Sequence, residues 1–588
     1  MSPRDEYLPV LRIRYAAALS IVALAACSRE KSPVANASDT STAVVPQTFP
    51  ATWDTHPRPT PAVGAHGMIA SMSDIASTAG VEILKRGGNA VDAAVATGFA
   101  LAVTYPAAGN LGGGGFMVIH MADGRSAAID YREVAPLAAT RDMYLDSAGK
   151  LTKKSLIGGL ASGVPGSVAG MAAALAKYGT MSLHDVMQPA IQLARDGFVV
   201  DSSLHRSIER DSAVARFDAA SVFLPGGKAV AAGTRLVQPA LARTLTAIAD
   251  KGPSAFYTGW VADSLVATIH HDGGIITRAD LAKYQPLWRD PIIGTYRGYS
   301  LITMPLSSSG GITMLEVLNQ LETFSPMPPF GSAAYVHLLA ETFRRAFVDR
   351  NTKLGDPAFV HVPVEQLTSK AYARTLASTI DRSHASTSPG FNGAEPMHTT
   401  HFSVADDKGD AVATTTTLNS SFGSGVYVRG GGFFMNDEMD DFSAQPGKPN
   451  QFGLVQGEAN AIQPGKRMLS AMAPTIVLDR KGKVLLAVGA AGGPTIITAV
   501  TEIILNVLDQ HMSLADAMNA PRVHHQAWPD SLEYETGGLS QPTIDSLTAM
   551  GHRLRTIRSL ATANGVMATP GGWVGVAEPR SHAHAVGY

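Results

Sequence analysis

Four kinds of residue in this sequence stand at spacings that could do chemistry: paired histidines, a run of glycines, a pair of threonines and a single cysteine. The histidine pairs His270-His271 and His524-His525 are adjacent, and chain neighbours do not converge on one metal as an i, i+4 pair would. H-E-x-x-H is absent, and the lone Cys27 excludes a multi-cysteine zinc site and an intramolecular disulfide framework. No metal is expected. Gly112 to Gly115 fit neither G-x-G-x-x-G nor a P-loop, and there is no G-x-S-x-G elbow. Ser147-Ala148-Gly149-Lys150 matches S-x-x-K, but in a polar turn without companion motifs. There remain Thr399 and Thr400, in the segment Met397-His398-Thr399-Thr400-His401-Phe402-Ser403-Val404. Taken alone, a threonine opening a strand after the polar stretch 383–398 reads as a β-former. Its hydroxyl is a weak nucleophile unless a base stands beside it.

The elements that must position these residues follow from hydrophobic periodicity. Helices are predicted at 75–86, closed by Gly87-Gly88, and at 89–103, where AVDAAVATGFALAV is rich in small residues suited to deep, close packing. FMVIH and SAAIDYREV form a strand pair after the glycine run. Helices follow at about 166–177, 183–195, 238–250, 311–322 and 332–350. From Thr399 the character changes. THFSVAD, a DKGD turn and AVATTTTLN form a hairpin; TIVLD, RKGK and VLLAVG form another, followed by a helix from Thr495 to Leu508. Helices, then strands, then helices predict an α+β layered sandwich with strands from both halves. Lys and Arg number 47 against 49 Asp and Glu, a net charge of −2 that offers no basic footprint for nucleic acid.

The first residues read as an address. Arg12 and Arg14 precede an apolar run from Ala16 to Ala26, the length of a signal-peptide core and too short to span a membrane. The run ends Leu24-Ala25-Ala26-Cys27, which looks like a bacterial lipobox with Cys27 as the lipidated residue. Ser28 and Arg29 follow without an aspartate at the next position, so the expected location is the periplasmic side of the outer membrane, held by the lipid alone. Residues 1–26 are then the signal and 27–61, rich in Ser, Thr, Ala and Pro, a flexible tether.

From Gly67 to Tyr588 the sequence resembles the γ-glutamyltranspeptidase family, in its bacterial periplasmic branch. The resemblance rests on ordered segments including LKRGGNAVDAAVA, NLGGGGFM, DYREVAP, SGVPGSVAGM, MPLSSSGGI, TTHFSV, TLNSSFGSG, NDEMDDFS, GEANAIQPGKR, AMAPTIV and GAAGGPTIIT. It implies an N-terminal nucleophile hydrolase: an αββα sandwich, self-cleaved before a threonine that then opens a small subunit. The match to TTHFSV puts the cut between His398 and Thr399, giving a large subunit that ends at 398, with its body from 62, and a small subunit 399–588, held together as a heterodimer.

The same resemblance assigns roles. Thr399 is the nucleophile and Thr417 the threonine whose hydroxyl bonds it. Gly492 and Gly493 supply the oxyanion-hole N–H groups; alone they read as a tight strand-to-helix turn. Arg132 clamps the substrate α-carboxylate; alone, beside Glu133, it reads as a surface ion pair. Asn419, Glu438 and Asp441 hold the α-amine and α-carboxylate, and of Asp440 and Asp441 only one is expected to face the ligand. Ser470 is the first of two serines fixing the carboxylate, but the second is Ala471 here. Residues 444–454 resemble the lid loop, with Phe452 in place of a gating tyrosine. The activity implied is γ-glutamyl transfer from glutathione and related γ-glutamyl compounds to water, amino acids or dipeptides, with no cofactor. Two other readings stay open: a same-fold glutaryl or cephalosporin-type acylase, which Ala471 leaves alive, and an inactive surface binding relative.

Overall fold

The computed structural model describes residues 48–53, 58–388, 399–581 and 583–588. The signal-like stretch, Cys27 and His398 lie outside the described residues. Fourteen strands build two seven-stranded sheets. Before residue 398 these are β1 (Ala62–Gly64), β2 (Gly67–Ala70), β3 (Gly114–His120), β4 (Ser126–Asp130), β5 (Leu287–Arg289), β6 (Ile292–Tyr296) and β7 (Tyr299–Thr303). After it come β8 (Thr399–Asp406), β9 (Ala411–Thr417), β10 (Thr475–Leu478), β11 (Val484–Ala491), β12 (Thr562–Thr569), β13 (Gly572–Val576) and β14 (Val586–Gly587). One sheet runs β14-β2-β8-β9-β3-β4-β5, the other β1-β13-β12-β11-β10-β7-β6. Each sheet therefore mixes strands from both sides of the expected cut.

Side-chain alternation divides the layers, because successive residues of a strand face opposite sides. In the first sheet Ile69, Met117, Ile119, Phe402 and Val404 join a core with α1 (Asp74–Lys85), α2 (Ala90–Thr104), α3 (Ser167–Tyr178) and α4 (Leu183–Asp196). Their neighbours Met68, Ala70, Phe116, Val118 and Ala405 face the second sheet, in a core with Ile302, Leu486 and Val566. That core continues into α5 (Gly310–Leu321), α6 (Ala333–Lys353) and α7 (Thr495–Leu508) through Leu315, Phe343 and Ile503. The order is helices, sheet, sheet, helices. All fifteen residues of α2 are buried, as its small side chains allow, and a reciprocal capping box between Asn89 and Asp92 fixes its start.

Within 27–61, where the sequence predicts a flexible tether, the described residues 48–53 are anchored on the body. Phe49 and Trp53 are buried in the second core, and the Trp53 indole donates to the Asn519 carbonyl at 2.9 Å. Two buried aromatics offset the entropy of ordering their short segment, a signal that the surrounding Ser, Thr and Pro conceal.

Strand register explains how distant residues meet. Thr399, first in β8, pairs with Thr417, last in β9, which pairs with Gly114, first in β3. Asp130 ends β4 opposite Phe116, so Arg132 emerges at the same rim. In the facing sheet Thr475, first in β10, pairs with Val488 of β11, so the segments that carry Ser470 before β10 and Gly492 after β11 lie toward a shared side.

Candidate active site

At this rim a pocket with about 320 Å³ of open space brings together Thr399, Thr417, Asn419, Arg132, Glu438 and Asp441. Ser470, Ala471, Phe452 and Gly493 also line it. Gly492 does not, but it stands one residue away, and Gly492, Gly493 and Pro494 form the turn that enters α7. The carbonyls of Gly492 and Gly493 accept from the Thr495 and Ile496 N–H groups at 3.1 Å each, and the turn sets the positive end of the helix dipole beside the pocket. The backbone at Gly492 (φ 142°) and Gly493 (φ 53°) lies in the region that glycine alone adopts freely.

The threonine hydroxyls of Thr399 and Thr417 are 3.3 Å apart. Asn419 adopts a left-handed conformation, φ 78°, which turns its own N–H onto the Thr417 hydroxyl at 2.7 Å. Its side-chain amide donates to the Asp437 carbonyl at 3.0 Å. Alternation separates the two adjacent threonines: Thr399 lines the pocket, whereas the Thr400 hydroxyl is buried without a hydrogen-bond partner among the described residues. His401 shares the inward side with Thr399, but its ring lies against Gly489, and its nitrogens bond Thr415 at 2.8 Å and Ser403 at 2.9 Å. Burial pulls its pKa down to about 3, so it stays neutral.

The same pocket is lined by a buried ion cluster. Arg132 is ion-paired with Glu438 and Asp441, and Glu133 lies 3.7 Å from it. Arg132 and Glu133 are both fully buried, so they are not the surface pair that their adjacency indicates. Neither oxygen of Glu133 and only one of Glu438 finds a well-aligned donor among the described residues. Burial pushes Glu133 up to about 8 against the pull of Arg132, and pushes Glu438 well above the usual carboxylate range. Burial alone would lower the Arg132 pKa, but Glu438, Asp441 and Glu133 more than reverse that, so the guanidinium stays charged. Of the two adjacent aspartates only Asp441 faces the pocket. Asp440 points away, accepting from Ser155 Oγ at 2.7 Å and from the Gln451 N–H at 3.0 Å.

Ser470 is held by its backbone: its N–H donates to the Ser307 carbonyl at 3.1 Å and its carbonyl accepts from Ser309 N–H at 2.8 Å. Phe452 closes one side of the pocket, its carbonyl fixed by Gln526 at 3.2 Å. One polar lining residue is absent from the sequence reading: Arg350, on α6. Its signal was its spacing, on one stripe with Phe343, Ala346 and Phe347. Among the described residues no group of three or more His, Cys, Asp or Glu side chains is placed to hold a metal ion.

Comparison with known proteins matches this geometry to a family. Residues 76–588 match the family described as Gamma-glutamyltranspeptidase. The chain is 47% identical over 532 residues to the glutathione hydrolase proenzyme of Escherichia coli K12, covering 89% of this chain and 91% of that protein. Among solved structures it resembles the cephalosporin acylase of Bacillus halodurans, with TM-score 0.80 and 26% identity over 92% of this chain and 99% of that one. It also resembles the gamma-glutamyltranspeptidase of Pseudomonas nitroreducens, with TM-score 0.51 and 42% identity over 54% of this chain and 94% of that one. A pocket that joins a strand-opening threonine to a buried arginine–carboxylate cluster thus sits in a chain that belongs to the gamma-glutamyltranspeptidase family.

Proposed function

We propose that the protein is an N-terminal nucleophile hydrolase that removes the γ-glutamyl group from glutathione and related γ-glutamyl amides and passes it to water or to the amine of an amino acid or dipeptide. The observation that carries this reading is the pairing of the Thr399 hydroxyl with Thr417 in the same pocket as the Arg132–Glu438–Asp441 cluster.

The chemistry needs a base, and the one histidine beside the nucleophile on its strand is neutral with both nitrogens engaged. Cleavage between His398 and Thr399 supplies one. The Thr399 hydroxyl attacks the His398 carbonyl carbon, the C–N bond breaks as the acyl group moves to oxygen, and water opens the ester. The products are a His398 carboxylate and a free α-amine on Thr399. Such an amine has a pKa of roughly 7.7–8.0 and takes the hydroxyl proton in the next attack. Before cleavage the same nitrogen is an amide without basicity, so the precursor is a zymogen.

In the substrate reaction Thr399 attacks the γ-carbonyl, the N–H groups of Gly492 and Gly493 receive the developing oxyanion, and an ester forms on Thr399 as the amine leaves. Water or an acceptor amine then releases the group. The substrate's head is a zwitterion. Its carboxylate takes Arg132, with Ser470, and its ammonium takes Glu438 and Asp441, so each partner of the resting ion cluster exchanges one contact for another of the same sign. Asn419 completes this subsite.

A second reading, a glutaryl or cephalosporin-type acylase, is favoured by the structural likeness to the B. halodurans enzyme and by Ala471. A glutaryl head has no ammonium and leaves Glu438 and Asp441 facing nothing. A denaturing gel with N-terminal sequencing and a γ-glutamyl anilide assay decide the matter. Two chains, the smaller beginning Thr-Thr-His-Phe, with anilide hydrolysis, are expected. Thr399→Ala stays one inactive chain, while Thr399→Ser cleaves and keeps some activity. A small chain beginning at Thr400, or an active uncut protein, overturns the mechanism. The cellular address is a separate proposal, lipidation at Cys27 and an outer-membrane anchor facing the periplasm. Cys27→Ser is expected to move the folded body from the membrane to the soluble fraction; a wild-type protein without lipid refutes it.

A further inference from the structure

Arg350 is a buried guanidinium, 1% exposed, that lines the pocket yet has no carboxylate at ion-pair distance among the described residues. An unpaired buried cation is costly to keep. Burial draws its pKa down to about 10, so it remains charged at neutral pH, with Asp441 as the nearest charge it feels. Its hydrogen bonds go to three neutral partners: the Oδ1 of its neighbour Asn351, which accepts from Nη1 at 3.0 Å, and two relays. Nε donates to Ser309 Oγ at 3.1 Å, and Ser309 Oγ donates to the Ser470 carbonyl at 2.5 Å. Nη1 donates to Gln456 Oε1 at 3.3 Å, and Gln456 Nε2 donates to the Asp441 carbonyl at 3.2 Å. Arg350 is thus one side chain removed from both segments that reach the substrate head.

We infer that Arg350 is a positioning residue of the α-amino-acid subsite: through Ser309 and Gln456 it sets the segments that present Ser470 to the substrate carboxylate and Asp441 to the ammonium, and its charge balances the pocket. The inference rests on the γ-glutamyl reading above. Three acids, Glu133, Glu438 and Asp441, face two cations, Arg132 and Arg350. Without Arg350 one more carboxylate is uncompensated. It holds Arg132 more tightly, and the substrate must break that pair to bind. Thr399 and Thr417 are not among its contacts, so the effect falls on binding.

The test compares the processed wild type with Arg350→Gln and Arg350→Lys, using γ-glutamyl-p-nitroanilide as substrate and L-glutamate as competitive inhibitor. Arg350→Gln is expected to raise KM and the glutamate Ki together by about tenfold while kcat stays within about threefold, a coupling of the size seen between network residues. Arg350→Lys restores the charge without the fork and falls between. Wild-type KM and Ki in Arg350→Gln, or a loss confined to kcat, overturns the inference. If Arg350→Gln does not fold, Arg350→Lys decides alone: a raised KM with kcat kept supports it, and a wild-type KM ends it. A wild type inactive on the anilide refutes instead the γ-glutamyl reading on which all this rests.

Discussion

Two buried ion clusters in this molecule use the same residue types to opposite ends. Around Arg580 and Arg522, both oxygens of Glu535 are doubly engaged: Oε1 by Leu560 N–H at 2.8 Å and Arg580 Nε at 2.7 Å, Oε2 by Arg522 N–H at 2.9 Å and Arg580 Nη2 at 2.6 Å. Glu578 is engaged by Arg580 at 3.0 Å, by Arg522 at 3.5 Å and by the Ala563 N–H. Burial works against its charge, but Arg522, Arg580 and backbone donors win and hold its pKa below the usual range. Around Arg132 the carboxylates are as buried, yet Glu133 and half of Glu438 lack donors, and their pKa values move up. The difference is one of completion. Glu535 and Glu578, with every oxygen met, tie a core together, although Glu502 Oε2 beside them has no partner among the described residues; in the γ-glutamyl reading proposed above, the unmet oxygens around Arg132 are the ones a substrate ammonium engages.

The comparison breaks most visibly at Arg580. Arg580→Met is expected to cost about 3–5 kcal/mol, since it strands two buried carboxylates, read as a lowered urea midpoint; protein that remains folded keeps a wild-type KM. A KM that rises in step with the stability loss would contradict the division. Arg132→Ala is the converse. The expected loss is about 2–5 kcal/mol in kcat/KM with self-cleavage intact, alongside a lowered Tm from stranding Glu438 and Asp441; an unaltered kcat/KM removes Arg132 from the site. Ala471→Ser adds a donor where the pocket is short of one. A hydrogen bond to a charged group contributes roughly 1.5–3 kcal/mol, so KM for the anilide falls by about 10- to 150-fold, and an unaltered KM shows that the pocket compensates elsewhere.

The smallest effect is a matter of pH. Glu133 has a folded pKa of about 8, above its ordinary 4.5. Its protonated form is favoured by folding, so its contribution to stability is complete below pH 4.5 and lost as pH rises through 8. Glu578 is shifted the other way; its contribution is present above pH 4.5 and lost as pH falls through its lowered value. Glu133→Gln is therefore expected to flatten the decline of Tm between pH 5 and 9 and leave the acid limb untouched. A decline as steep as in the wild type would show that Glu133 does not titrate there.

Much of the scaffold was legible in the sequence. The helix Thr495–Leu508 and the hairpin from Thr399 lie where periodicity puts them. The helix Trp260–His271 and the strands Thr562–Thr569 and Gly572–Val576 were not foreseen. TANGVMAT and GWVGV carry too many small residues to alternate, and they are strands because the facing sheet covers them. The site was legible only by resemblance. Arg132 stands 306 positions before Glu438, with Ser470 further still, and no local spacing announces them; strand register and the Ser308–Ser470 bridge bring them to one rim. Arg350 was hidden differently, in the charged stretch AETFRRAFVDRNTK, where it continues the apolar stripe of Phe343, Ala346 and Phe347.

The interleaving of the sheets has a consequence for how such a protein can be encoded. β8 lies between β2, from before position 398, and β9, from after it, and the second sheet likewise sets β1, β6 and β7 at the flanks of a block from the later segment. A gene divided at codon 399 would yield two products, neither holding a whole sheet, each offering open strand edges to every other copy in the cell. Joined in one reading frame, the pieces are delivered at fixed stoichiometry and high local concentration, and the bond that joins them is dispensable once the sheets have closed. Coexpressing 1–398 with 399–588 is therefore expected to recover far less soluble protein than the intact gene.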